Sequence, residues 1–76
     1  MNENFLYDIG QAVWIVSEEL STVLECKVLQ VSIKLIQDVR DVKYNLISGH
    51  NTVQENEANI YGTFQDALDA LALLLG

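Results

Sequence analysis

At Gly62-Thr63 the chain changes rhythm. Upstream of this point apolar residues fall in short runs and two-residue alternations. Downstream, Phe64, Ala67, Leu68, Leu71, Ala72 and Leu75 recur at steps of three and four. The first pattern suits β-strands, and the second suits one face of a single amphipathic helix. The switch therefore predicts a small, strongly bent antiparallel sheet or barrel of about four to five strands, closed by one C-terminal helix: an α+β fold that is mainly β. With 76 residues there is room for one domain, 1–76, with strands over about 9–61 and the helix over about 63–75. A chain this short buries only ~60% of its unfolded surface, so association with another copy would add useful apolar burial.

The strand region reads as follows. AVWIV, Ala12 to Val16, is a compact strand, and SEELST, Ser17 to Thr22, is a polar turn. From Val23 to Ile36 the alternation changes phase. Leu24, Cys26 and Val28 share one face of a regular strand, whereas Val31, Ile33 and Leu35 share the other. One buried face accommodates both sets only with a bulge or sharp bend near Leu29-Gln30. Gln37 to Asp41 reads as a charged turn, Val42, Tyr44 and Leu46 as a half-buried strand, and Ser48 to Asn59 as a long polar loop with room for a short strand at Val53. Ala58 to Tyr61 reads as the last strand. Thr63 is placed to cap the helix N-terminus by accepting from the backbone N–H near Asp66, and Gly76 to cap its other end. Phe5, Leu6 and Tyr7 read as a lead-in strand or a packed tail.

Composition narrows the functional classes. The net charge is −7, from 11 acidic and 4 basic residues. Phosphate backbones repel such a surface, which argues against direct nucleic-acid binding. The four cations, Lys27, Lys34, Arg40 and Lys43, all fall between positions 27 and 43 and read as solvated positions on two neighbouring strands. A single cysteine, Cys26, and the lack of a charged-then-apolar leader in MNENFLYD point to a reducing, cytoplasmic setting. No apolar run is long enough to predict a membrane span.

The segments GQAVWIV, VKYNLI and IYGTFQDAL, together with the bent central strand, resemble small SH3-like barrel proteins with a C-terminal helix, of the uncharacterised bacteriophage and prophage type. The resemblance covers nearly the whole chain. It implies an SH3-like β-barrel and a phage origin, and it brings no catalytic residues, metal or cofactor with it.

Candidate contact residues follow from side-chain chemistry. Tyr7, Trp14, Tyr44 and Tyr61 combine apolar area with a polar tip and are potential anchors for a protein partner; core positions, or positions beneath the helix, are the plainer reading. Leu73 falls on the polar face of the helix and Leu74 at its margin, so these two are candidates for a partner or homodimer patch. The acidic pairs Glu18-Glu19, Asp38 with Asp41, Glu55 with Glu57, and Asp66 with Asp69 sit in polar segments, where a solvated surface is the simple reading. Collectively, with Glu18, Glu19, Asp66 and Asp69 foremost, they suit the basic groove of a partner. His50 beside Glu55 and Glu57 is a weak metal pattern, and Cys26 reads as a small buried hydrophobe without a base to activate it.

No catalytic motif is present in the sequence. The expected function is a non-enzymatic, acidic protein-interaction module, of which a phage-encoded adaptor or inhibitor of a host protein is one form. The alternative is a small-ligand sensor or sequestering protein with a pocket at an oligomer interface near the polar loop.

Overall fold

Six residues with period-two burial, Ala12–Ser17, form β1. Val13 and Ile15 are buried, while Trp14 and Val16 on the opposite face are only partly so. The computed structural model describes residues 6–76; Phe5 lies outside them. After β1 come β2, Thr22–Ile36; β3, Val39–Ser48; β4, Asn51–Asn56; a single 3-10 turn, Glu57–Asn59; β5, Ile60–Tyr61; and α1, Phe64–Leu75. The strands make one antiparallel sheet in the order β4-β3-β2-β1-β5. The fold is thus α+β and mainly β: an open five-stranded sheet with a C-terminal helix.

The phase change in β2 is resolved by a bulge at the expected place. Val28 pairs with Leu46 and Val31 with Tyr44, so β2 advances three residues while β3 advances two. The extra residue returns Val31, Ile33 and Leu35 to the face already held by Leu24, Cys26 and Val28. That face carries the core: Val13, Ile15, Cys26, Val28, Val42, Tyr44, Leu46 and Ile60 form one buried cluster, with Tyr7, Leu24 and Val31 packed against it.

The helix starts as the sequence predicts. Thr63 has extended backbone and its Oγ1 accepts from Asp66 N at 3.1 Å. Only Ala67 and Leu71 of the expected stripe are buried, with Leu68 and Ala70 half-buried. Those two residues stand apart from the core cluster, and α1 packs on β1, β2 and β5. The helix therefore lies over the second face of these strands, where Trp14, Val16, Val23 and Tyr61 are half-buried. Because these three strands offer a narrow platform, Phe64, Ala72 and Leu75 stay exposed, contrary to the simple periodic reading.

Three boundaries also differ from the sequence reading. The charged turn shrinks to Gln37-Asp38, both at positive φ (50° and 67°), because Ile36 pairs directly with Val39. Asn51–Asn56 is a full strand: Gly49, at φ 63°, starts a two-residue turn of the kind that suits hairpins, and β4 then pairs with β3 from Ser48 to Lys43. The last strand is only Ile60–Tyr61, since Glu57–Asn59 winds into the 3-10 turn.

Candidate functional site

The four candidate aromatic side chains do not gather into one groove. They form two pairs on opposite faces of the sheet. Trp14 and Tyr61 stand directly opposite each other between β1 and β5, on the helix-covered face. Tyr7 and Tyr44 meet on the core face with ring centroids 5.5 Å apart in an edge-to-face arrangement.

Tyr44 is fully enclosed, so its ring is a core element and offers no face to a partner. Its hydroxyl donates to Glu57 Oε2 at 2.5 Å and accepts from Leu6 N at 3.1 Å and Tyr7 N at 3.3 Å. Glu57 Oε2 also accepts from Leu6 N at 3.1 Å. Burial, and then the hydrogen bond to Glu57, push the Tyr44 hydroxyl from 10.0 up to about 12. Tyr7 donates to the Ile60 carbonyl at 3.0 Å, and burial followed by the Glu57 charge raises its hydroxyl too. Gly62, at the rhythm change, lies against the Tyr7 ring, where an added Cβ would sit at 3.4 Å, in ordinary contact. This polar knot ties the N-terminal segment to β3, the 3-10 turn and β5. Sequence reading missed Glu57 as its centre because the contacts span 13 and 51 residues, with no local signal.

The other acidic candidates stay at the surface. Glu18 and Glu19 lie in the exposed β1–β2 turn, and Asp66 and Asp69 on the exposed side of α1, where Gln65 Nε2 donates to Asp69 Oδ1 at 3.0 Å. Leu73 is 85% exposed and Leu74 55%. His50 occupies the exposed β3–β4 turn, and among the described residues no three His, Cys, Asp or Glu side chains converge. Cys26 is a buried free thiol whose pKa is raised, chiefly by burial.

Three of the candidates do meet. A cleft of ≈ 230 Å³ between the β1–β2 turn, β5 and the end of α1 is lined by Ile15, Val16, Tyr61 and Leu74 with Glu18, Glu55 and Asn59. Its apolar lining and two carboxylates suit a side chain with an aliphatic stem and a cationic head. A larger depression of ≈ 590 Å³ over Leu29, Gln30, Asn45 and Thr52 to Gln54 is shallow and has no charged lining. Among the described residues that line the cleft there is no cation, and the four basic residues, Lys27, Lys34, Arg40 and Lys43, all lie on β2 and β3. No protein-family model, curated protein or solved structure matches the chain. Among the described residues no helix is long and apolar enough to cross a membrane.

Proposed function

We propose that this chain is a non-enzymatic, acidic protein-interaction module whose cleft beside Glu18, Glu55, Tyr61 and Leu74 takes a basic side chain of a partner protein. The observation that carries the reading is the pairing of two carboxylates with an apolar lining in one cleft. The net charge of −7 supports it, because such a surface speeds encounter with a basic partner. The half-exposed Leu74 gives the cleft an apolar rim.

The strand order, the long bulged β2 shared by both halves of the sheet, and the 3-10 turn before β5 favour an SH3-like barrel as the finer description of the fold. Together with the resemblance to phage and prophage proteins, they support a phage-borne adaptor or inhibitor of a host protein.

A peptide-display selection on the immobilised protein tests the cleft. The expected result is enrichment of peptides with Arg or Lys beside an apolar residue, lost on the Glu18→Gln/Glu55→Gln variant. Equal enrichment on both proteins, or recovery of acidic peptides, would contradict the reading.

A further inference from the structure

Among the described residues, the arm formed by the far halves of β2 and β3 has its longer unpaired backbone edge on β2. On the β1 side, pairing with β2 ends at Ala12 and Lys27, followed by Val28 N donating to Gln11 O and Gly10 N donating to Val28 O. Among the described residues no strand pairs with β2 beyond that point on this side. Val28 directs its N–H and C=O toward β1, so its cross-strand neighbour Leu46 directs its own toward β4. Tyr44 and Val42 follow Leu46 at two-residue steps, and their partners Val31 and Ile33 therefore point their N–H and C=O groups out of the open edge, as does Leu35.

The side chains of these three residues continue the apolar face of the core beyond the sheet. Ile33 is 41% exposed and Leu35 68%. The opposite face of the arm carries Ser32, Lys34, Asp41 and Lys43, with the exposed Ile36 and Val39 at its tip. An amphipathic edge with unpaired backbone groups is a template for another strand.

The geometry points to a second copy of this chain as the occupant, joined by antiparallel pairing of β2 with β2 about a two-fold axis at Ile33. In that register Ile33 opposes Ile33, and Val31 opposes Leu35, on one apolar face. Each outward residue meets an outward residue, so their N–H and C=O groups bond across the axis. The charges also agree. Lys34, the only ionised residue from Gln30 to Ile36, opposes Ser32, so no like charges face each other across the axis. Sliding the register by two so that Leu35 opposes Ile33 would set Lys34 against Lys34, which is destabilising. The result is one continuous sheet through both copies.

This inference is independent of the cleft reading, because the arm shares no residue with the cleft, and loss of either activity can be scored without the other. Sedimentation across a concentration series is expected to give a dimer whose dissociation constant rises at least ~10-fold in Ile33→Lys, from like-charge opposition at the axis and lost apolar contact. An Ile33→Cys variant, with the parent carrying Cys26 as control, provides a second measurement that does not need a disrupted strand. Mild oxidation is expected to link it covalently to itself, while Lys34→Cys and Leu35→Cys stay largely unlinked. A monomeric mass throughout the series, an unchanged dimer in Ile33→Lys, or equal linking at all three positions would each overturn the proposal.

Discussion

Tyr44 shows how much one side chain decides here. Its ring fills the core and its hydroxyl satisfies Glu57 and two backbone N–H groups. Tyr44→Phe keeps the ring but leaves those groups without their partner, and is expected to lower unfolding free energy by about 1–3 kcal/mol in urea denaturation. The hydroxyl also sets an alkaline limit. Its folded pKa of about 12 lies above the ordinary 10.0, so the neutral form is favoured by folding. Stability from this group is complete below pH 10 and is lost as pH rises toward 12, a drop of about 2–3 kcal/mol that Tyr44→Phe should remove from the pH profile. The Gln37-Asp38 turn is a second residue-scale case. Both residues hold left-handed backbone, which Asn and Gly adopt with less strain. Gln37→Asn/Asp38→Gly is expected to raise stability by about 1 kcal/mol, seen as a higher thermal midpoint. The aromatic and apolar residues of this region were legible from the sequence. The turn was legible but not its two-residue length, because Gln37 lacks the usual Asn or Gly signature and its conformation is imposed by the Ile36–Val39 pairing.

At the scale of elements, β2 and α1 carry most of the fold, and the sequence describes them unequally. The β2 bulge was readable because two apolar triads, Leu24-Cys26-Val28 and Val31-Ile33-Leu35, are out of phase and both belong to one face. The helix was readable in extent and cap, but its buried stripe was overestimated, since periodicity counts apolar positions without knowing the width of what they cover. Ala67 and Leu71 are covered; Phe64, Leu73 and Leu75 are not. Leu71→Ala is accordingly expected to cost about 2–4 kcal/mol, and Leu73→Ala less than about 0.5 kcal/mol, in parallel chemical denaturation. Similar losses for both would mean that the outer face of α1 is packed against something in solution. β4 was legible only as room for a short strand at Val53, because NTVQEN carries a single apolar residue, and its full length comes from the Gly49-His50 turn and from pairing with β3.

For the whole molecule, charge and apolar surface are segregated. Three of the four cations lie on the β2–β3 arm, while the acidic cleft sits where β1, β5 and the end of α1 meet. This division gives the chain two separable surfaces, the arm edge proposed to pair with its own copy and the cleft proposed to take a basic partner. Composition made the acidic character visible, and Glu18, Tyr61 and Leu74 were individually nameable. Their convergence was not, because they come from a turn, a two-residue strand and a helix end far apart in sequence. The most direct test of the cleft is an amide-resolved NMR titration with a blocked Leu-Arg-Leu peptide. The expected result is saturable shifts confined to Val16 to Glu18, Glu55, Tyr61 and Leu74, abolished by Glu18→Gln/Glu55→Gln. Shifts centred instead on Leu29, Gln30 and Thr52 to Gln54, or none at any peptide concentration, would contradict it.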